Sequence, residues 1–341
     1  MGEVTTIRDV ARLAEVSVAT VSRALNGPQN VAAPVRERVL EAARELKYVP
    51  PHAARSLSSR RTHTIGVVLP DLSGEFVSEL LGGIDRVARE HHLHLLVSSF
   101  RRDPEEQVTA LASMRGRVDG LLVMSPFIDN ATLARNLDGT LPAVLMNSNL
   151  AGAGGVGTLR VDNYAGARAV VEHLVDAGFR RIAFVAGPED NFDADERLRG
   201  YRDTLAERLP GIEPLVLPGN FDESAGHAAG REILRMPIRP DAVFACNDMM
   251  ALGCLFAFHQ AGVQVPGEIA VAGFDDIPLA RYVHPTLTTM AVDIADMGGL
   301  ALRTLLAGRE PDAPREVRRV HTHLVERDST RARPREQASA T

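Results

Sequence analysis

Residues 17–27, SVATVSRALNG, form a segment of small side chains that contains a single charged residue, Arg23. Ser17 is a good helix N-cap and Asn26-Gly27 is a common C-terminal signal, so the segment predicts a short helix. Surface helices usually carry longer charged side chains than these. Because short side chains let another molecule approach the helix backbone closely, the segment predicts a helix that docks against a partner.

This helix is the second of three helices predicted within residues 5–47. The first, TIRDVARLAEV, places Ile7, Val10 and Ala14 on one face, and the third, APVRERVLEAARELKY, is also amphipathic. The turn EVSV at 15–18 is too short to let the first two helices lie antiparallel. The two helices must therefore cross steeply, as in a helix-turn-helix, and the second helix projects outward.

A helix with small exposed groups fits the major groove of double-stranded DNA, which is about 12 Å wide. Its hydroxyls can contact phosphates, and Arg23 can donate two hydrogen bonds to a guanine. Val18 and Ala19 can make only apolar contacts, such as one with a thymine methyl group. The alternative is an all-helical dimerisation or docking module in which Ser and Thr only cap and solvate helices.

Charge is distributed unevenly along the chain. Residues 1–61 contain ten Arg or Lys and six Asp or Glu, which gives this region a net charge of +4. Because the whole chain has a net charge of −6, the remaining residues have a net charge of −10. A basic N-terminal region on an acidic protein suggests an anionic partner for that region alone. Charge by itself is equally compatible with a solvated pair of charged helices.

Composition excludes several classes of protein. The 341 residues suggest two or three domains, and they contain no apolar run long enough for a membrane span. The N-terminal residues lack the apolar core of a signal peptide, and two cysteines fit neither a zinc site nor a disulfide framework, so we expect a cytoplasmic protein.

The sequence contains none of three common catalytic motifs: the G-x-S-x-G nucleophile elbow of hydrolases, the G-x-x-x-x-G-K-[ST] phosphate-binding loop and the H-E-x-x-H zinc-binding helix. No cofactor is predicted. The HHLH segment at 91–94 lies at a predicted helix-to-strand junction, so we expect exposed or partly packed histidines there rather than a metal site.

From Thr64 onward, apolar strands such as TIGVVLP, RIAFVAG and AVFACND alternate with single amphipathic helices. This alternation predicts two parallel sheets, each covered by helices on both faces. Polar residues follow several strands, and ligands bind where such strand ends face each other. Each of these residues taken singly is more often a helix cap than a ligand contact.

The order of these motifs resembles that of LacI/GalR-type transcription regulators. The resemblance is carried by TIRDVARLAEVSVATVSRALNG, VDNYAGARAVVEHLVDAGFRRIAFVAGP, RLRGY, ACNDMMALG, AGFDD and PTLTTM. It implies a helix-turn-helix domain at 1–49, a hinge helix and linker at 50–62, and an effector-binding and dimerisation domain at 63–330. That domain is expected to have two doubly wound subdomains of periplasmic-binding-protein type, with crossovers near 162, 291 and 322. Residues 331–341 are expected to be a disordered tail.

The resemblance also implies roles for residues in the N-terminal region. The positions that match phosphate contacts are Thr6, Ser17, Thr20, Ser22 and Asn26. The positions that match base contacts are Val18, Ala19 and Arg23, while Leu57 matches the hinge residue that wedges into the minor groove. The implied partner is double-stranded operator DNA.

In the larger domain the resemblance implies a pocket for a small effector. Its matching residues are Phe76, Asp162, Arg197, Phe221, Asn247 and Asp275. A carboxylate and a guanidinium suit vicinal hydroxyls and an aromatic ring stacks on a sugar, so a sugar or polyol is expected. LSGEF at 72–76 departs from the family's usual Asn-Pro-aromatic run. The acidic loop PEDNFDADERLRG at 188–200 is expected to be exposed to solvent. If the loop instead faces the cleft, its negative charge would disfavour phosphorylated effectors.

The expected mechanism is a repressor whose affinity for DNA changes when the effector closes the cleft, with release of DNA as the family's usual outcome. A homodimer is expected rather than a tetramer, because no heptad repeat follows the larger domain. Two other classes are less consistent with the residues. A solute-binding protein of a transporter would need a signal peptide and no basic region, and a sugar-processing enzyme would need a catalytic motif.

Overall fold

The structure is a computed structural model that describes residues 5–26, 31–48, 61–100, 103–127, 133, 135–137, 141–148, 157–308 and 317–331. The chain divides into two compact units. One comprises residues up to Thr64 together with 116–119, and the other comprises 65–115 and the residues from Gly120 onward.

The smaller unit contains three helices, α1 (Ile7–Leu13), α2 (Val18–Asn26) and α3 (Ala33–Glu45). Its core is formed by Val10, Val21 and Val39, none of which is exposed, with small alanines filling the spaces between the helices. Each helix buries one apolar face against the other two, as the periodicity of the sequence predicts. The predicted helix-turn-helix is confirmed.

Local capping sets where these helices begin. The Thr6 backbone N–H and hydroxyl both donate to the Asp9 carboxylate, at 2.9 and 2.7 Å, at the start of α1. These bonds hold the pKa of Asp9 below its usual value. Ser17 Oγ accepts from the Thr20 backbone N–H at 3.1 Å, so Ser17 caps α2 as predicted.

The larger unit is an α/β structure with two sheets. Its described helices have the bounds α4 (Glu75–Glu90), α5 (Pro104–Met114), α6 (Asn163–Asp176), α7 (Phe192–Arg208), α8 (Glu223–Arg235), α9 (Asp248–Gln260) and α10 (Ile294–Ala307). Short 3-10 turns are formed by Pro278–Arg281 and Asp328–Thr330.

The strands of the first sheet are β1 (Thr64–Leu69), β2 (His94–Ser99), β3 (Leu121–Met124), β4 (Ala143–Met146), β5 (Gly157–Val161) and β11 (Val317–Val320). Those of the second sheet are β6 (Ile182–Val185), β7 (Leu215–Leu217), β8 (Ala242–Ala245), β9 (Ala270–Asp275), β10 (Thr288–Val292) and β12 (Thr322–Val325). The first sheet has the strand order β11-β5-β4-β3-β1-β2, and the second has the order β12-β10-β9-β8-β6-β7. These sheets and their helices form the two predicted doubly wound subdomains.

The chain passes between the subdomains three times. It leaves β5 for α6 at Asp162, returns from β10 to α10 at Asp293, and passes from β11 to β12 through His321. The last passage explains why β12 pairs with β10 in the antiparallel direction. Strand β11 is parallel to β5 and so runs toward the crossover region; its direct continuation, β12, runs away from that region.

The buried apolar side chains of the two subdomains form one connected cluster. In the second subdomain, Phe184, Phe244 and Tyr201 are fully buried, and the Phe184 ring contacts each of the other two rings. The Tyr201 hydroxyl donates to the carbonyl of Ile182 at 2.8 Å, so the one polar side-chain atom of these three residues is satisfied. No described helix is long and apolar enough to cross a membrane.

Candidate functional site

The exposed side of α2 carries the side chains that the sequence predicts to contact DNA. Ser17, Val18, Ala19 and Arg23 are exposed, whereas Val21 between them is buried in the core of the smaller unit. The helix therefore presents a face of small side chains with one guanidinium. Such a face can approach the edges of base pairs without steric conflict.

Two further predicted residues are half-buried next to this face. Thr20 and Ser22 lie at its edge, and the hydroxyls of Ser17 and Thr20 are 2.9 Å apart. Thr6 is exposed at the start of α1. Asn26 ends α2, but its side chain and the whole of Leu57 lie outside the described residues.

The second candidate site is a cavity of about 280 Å³ between the two subdomains of the larger unit. Five of the six residues predicted to bind an effector line it, namely Phe76, Arg197, Phe221, Asn247 and Asp275. Helices α7, α8 and α9 begin at this cavity, and the side chain that caps each helix also lines the cavity. These caps are Asn191, Asp222 and Asn247, whose oxygens accept from backbone N–H groups at 2.8 to 3.0 Å.

Asp162 is the sixth predicted residue, and it lies outside the lining of this cavity. It is the N-cap of α6, where it accepts from the Ala165 N–H at 3.4 Å, and it pairs with Arg319 at 3.3 Å. Its neighbour Asn163 takes the buried position instead. Asp162 therefore lies beside the network, and Asn163, one position later, bonds to Arg197 and Asp193 within it.

Arg197 is the centre of a buried hydrogen-bond network. Its Nε donates to Asn163 Oδ1 at 2.8 Å, Nη1 to the Cys246 carbonyl at 2.6 Å, and Nη2 to Asp275 Oδ1 at 3.3 Å. The guanidinium also lies 3.8 Å from the centre of the Phe274 ring. These contacts fix the orientation of the side chain, which is 4% exposed.

Asp275 occupies an unusual backbone conformation at the end of β9. Its φ is +115° and that of Asp276 is +53°, both in a region that side-chain-bearing residues rarely adopt. Surrounding bonds hold this turn: Asp276 pairs with Arg327 at 2.6 Å, and buried Asp248 accepts from the Ile277 N–H at 3.0 Å. Burial raises the pKa of Asp275 to about 6, although Arg197 opposes the shift.

Asp193 is a site residue that the sequence analysis assigned to a solvated loop. The structure corrects this interpretation for one residue of the loop: Glu189, Asp190 and Asp195 are exposed, but Asp193 is 7% exposed and lines the cavity. Its Oδ1 accepts from Asn163 Nδ2 at 2.7 Å, and burial raises the pKa of its carboxyl to about 7. The signal in the sequence was its spacing, one helical turn before Arg197.

Asn147, which directly follows β4, also lines the cavity and was not predicted. It has a φ of +50° and is 4% exposed, and its Oδ1 has no hydrogen-bond partner. A buried polar atom without a partner is costly, so this oxygen is a candidate acceptor for a group that enters the site.

The chemistry of the cavity is that of a binding site for a polar small molecule. Aromatic rings, amides, five acidic side chains and one guanidinium line a common space, as in small-molecule sites generally. Among the described residues, no three His, Cys, Asp or Glu side chains come together as a metal-binding group. His91, His92 and His94 are exposed where α4 ends and β2 begins.

Family models match two parts of the chain. Residues 6–51 match the bacterial regulatory proteins of the lacI family, and residues 171–330 match the periplasmic binding protein-like domain. The chain is 37% identical to the ribose operon repressor of Escherichia coli K12, over 88% of this chain and 92% of that protein. It is 33% identical to catabolite control protein A of Priestia megaterium, over 88% of this chain and 91% of that protein.

Among solved structures, the chain is similar to the lac repressor dimer bound to operator and the anti-inducer ONPF. The TM-score is 0.85 at 29% sequence identity, over 96% of this chain and 99% of that one. Two of these similar proteins, the ribose operon repressor and the lac repressor, are repressors by name. The chain therefore belongs to the lacI family of bacterial regulatory proteins and is a DNA-binding transcription regulator with a periplasmic-binding-protein-like effector domain.

Proposed function

We propose that the protein is a homodimeric repressor whose affinity for a specific operator is switched by a neutral sugar or polyol bound between its two subdomains. The observation that carries this proposal is the cavity around Arg197 and Asp275, which combines fixed hydrogen-bonding groups with aromatic rings. Because operator binding requires access to DNA, we propose a cytoplasmic location.

On the DNA side, Arg23 is proposed to read a base pair and the hydroxyls of Thr6, Ser17, Thr20 and Ser22 to contact phosphates. Exposure of Ser17, Val18, Ala19 and Arg23 on one helix supports this assignment. Asn26 is proposed as a further phosphate contact. Residues 50–62 are proposed as a hinge in which Leu57 wedges into the minor groove, with residues 331–341 as a tail.

On the effector side, Phe76 and Phe221 are proposed to pack against the C–H face of a sugar ring, with Asn247 and Asp275 binding its hydroxyls. All four residues line the same cavity. A polar, aromatic-lined site of this kind is suited to a sugar, whose hydroxyls alternate with C–H surfaces. One of the relatives is named a ribose operon repressor, which makes D-ribose the first ligand to test.

The dimer is proposed to form through one face of the second subdomain. There, a groove of about 720 Å³ is lined mostly by apolar side chains of α8, α9 and the segment around Leu279. Phe256 is 55% exposed and Tyr282 is 81% exposed on the same subdomain. Large exposed aromatic side chains beside an apolar groove are typical of protein interfaces, and a second copy of the chain would cover them.

The test is selection of a duplex from a random library by the full-length protein, followed by gel-shift titration of the selected duplex. We expect a two-fold symmetric sequence, bound at least about 10³-fold more tightly than a scrambled duplex of equal length. Addition of a sugar that binds the cavity should change this affinity by about 5–150-fold. Equal binding to selected and scrambled duplexes, with and without sugars, would refute the proposal.

A further inference from the structure

We infer that Asp119 is a positioning residue for operator binding, because its carboxylate holds the chain at Thr62 and His63, where the linker ends and β1 begins. Holding these two residues fixes the point from which each copy of the chain extends its DNA-binding helices. This inference rests on the proposed repressor function, since it concerns how a dimer places two DNA-binding domains on two half-sites.

The first observation is that one carboxylate binds both residues that precede β1. Asp119 Oδ1 accepts from the Thr62 N–H at 2.6 Å and from the Thr62 hydroxyl at 2.8 Å, and Oδ2 accepts from the His63 N–H at 2.9 Å. We call Thr62, His63 and Asp119 the linker clamp. All three belong to the same compact unit. Hydrogen bonds to an ionised carboxylate are stronger than neutral ones, so three of them hold this point of the chain firmly.

The second observation is that the chain in the linker clamp is bent and closed on itself. The Asp119 N–H donates to the Thr64 carbonyl at 2.7 Å, and the Thr64 hydroxyl donates to the Thr62 carbonyl at 3.1 Å. His63 has a φ of +52°, a region that side-chain-bearing residues rarely adopt. Such a conformation persists only where surrounding bonds hold it. Without the Asp119 carboxylate, we therefore expect residues 62 and 63 to leave this conformation.

The second subdomain contains a similar arrangement at a strand that follows no linker. Asp241, directly before β8, accepts from the backbone N–H groups of Arg180 and Arg181, directly before β6, each at 2.8 Å. Strands β6 and β8 are neighbours in their sheet, as β1 and β3 are in theirs. A carboxylate that closes the start of a strand is therefore a feature of the fold, and a role in operator binding has to be separated from it.

The two arrangements differ in one side chain. At Asp241 the donors are backbone N–H groups, and the Arg180 guanidinium donates to the carbonyls of Val175 and Phe179 instead. In the linker clamp, the Thr62 hydroxyl donates a further bond to the carboxylate. The linker clamp thus contains a side-chain bond that the start of a strand does not itself require, and this bond lies at the end of the linker.

Magnitudes separate two possible consequences of opening the linker clamp. Lengthening a flexible linker from about 12 to about 14 residues lowers the effective concentration only about 1.3-fold, because that concentration falls as the −3/2 power of length. If the bound state instead requires residues 62 and 63 in the clamped conformation, ordering each of them again reduces the binding constant about 5–30-fold. A tether of adjustable length needs no closely held end, so the clamp supports the second consequence.

The experiment is gel-shift titration of the full-length protein with the operator selected from the random library and with a duplex that contains a single half-site. Asp119→Ala should reduce affinity for the two-fold operator by at least about tenfold, because both linkers must be ordered again on binding. Affinity for the single half-site should stay within about twofold of the unaltered protein, because one DNA-binding domain binds it without a second, fixed tether.

Asp241→Ala is the matched control, since it removes the equivalent carboxylate at a strand that follows no linker. It should leave operator affinity within about twofold of the unaltered protein. Differential scanning calorimetry of both variants measures how far each is destabilised. A loss of operator affinity confined to Asp119→Ala, at a similar loss of stability, then has its cause in the linker clamp.

Variants of Thr62 keep the test open if Asp119→Ala fails to fold. Thr62→Val preserves the shape of the side chain but removes the hydroxyl donor, so operator affinity should fall about two- to tenfold. Thr62→Ser retains the hydroxyl and should stay within about twofold of the unaltered protein.

The possible failures are distinguishable. If the library yields no preferred duplex, the proposed repressor function fails and the inference fails with it. If a preferred duplex is found, three results each refute the positioning role alone: Asp119→Ala loses no more operator affinity than Asp241→Ala, it loses equally on the single half-site, or Thr62→Val binds the operator as tightly as Thr62→Ser.

Discussion

Asp193→Asn should make the ligand-free protein more stable at pH 8 while changing its stability little at pH 4. The substitution keeps the shape of the side chain and removes the ionisable group. In the folded chain, burial raises the pKa of Asp193 from 3.8 to about 7. The folded state therefore holds this proton more tightly than the unfolded state does.

The sign of the effect follows from proton linkage. The folded-state pKa is raised, so the unfolded chain loses the Asp193 proton first as pH rises, and stability is lost between about pH 4 and pH 7. A difference of about three pH units corresponds to about 4 kcal/mol, an upper bound because protein relaxation reduces it. Buried Asp275, whose pKa is also raised, contributes in the same direction in both proteins.

Differential scanning calorimetry of the full-length protein between pH 4 and pH 8 measures this difference. The melting temperatures of the two proteins should separate progressively between about pH 4 and pH 7, with the variant several degrees higher at pH 8, at about 2–4 °C per kcal/mol. Asp190→Asn, at an exposed position of the same loop, should follow the unaltered protein at every pH. Parallel curves for Asp193→Asn and the unaltered protein would show that Asp193 is not held in a destabilised ionised state.

Three further predictions concern other parts of the chain. Arg23→Ala should cost about 1–3 kcal/mol of operator affinity in gel-shift titrations, chiefly at one base pair per half-site; an equal loss on unrelated DNA would show a phosphate contact instead. Tyr282→Asp should convert the dimer to a monomer in analytical ultracentrifugation, whereas Ile238→Asp, another exposed apolar position, should not. Gly226→Ala should lower stability by about 1–3 kcal/mol in denaturant unfolding because its Cβ would overlap the Met250 backbone; Gly82→Ala, with open space around it, should be neutral or stabilising.

The fold could be predicted because it depends on local patterns that repeat along the chain. Buried strands such as β6 and β8 are short apolar runs, and α2 begins and ends at residues with well-understood capping behaviour. The antiparallel pairing of β12 was not predicted. It depends on the direction in which β11 approaches the crossover region, and no residue within β12 records that direction.

The site was predicted less completely, for a physical reason. Aspartates and asparagines at strand ends serve equally well as caps and as ligand contacts, and local sequence does not separate these roles. Asp162 is such a cap, and Asn163 beside it holds Arg197 and Asp193. Asn147 follows a short strand in a positive-φ conformation, which its sequence context does not indicate.

The arrangement of α8 and α9 shows how an event in the cavity can reach the proposed dimer face. The N-caps of both helices, Asp222 and Asn247, line the cavity, while the next turns of the same helices line the apolar groove. Glu223 and Met249 line both.

The two helices also pack closely, because Gly226 lies against the backbone of Met250. Because the packed interior has little free space, we expect a displacement of one helix to be transmitted to the other. A ligand that binds at the N-caps acts on the same pair of helices that shapes the groove. The ligand can therefore alter how two copies of the chain face each other without any structural element between this helix pair and the groove. It needs only to bind more tightly to one position of the helix pair than to the other. The resulting change in the populations of the two positions is limited by that difference in affinity.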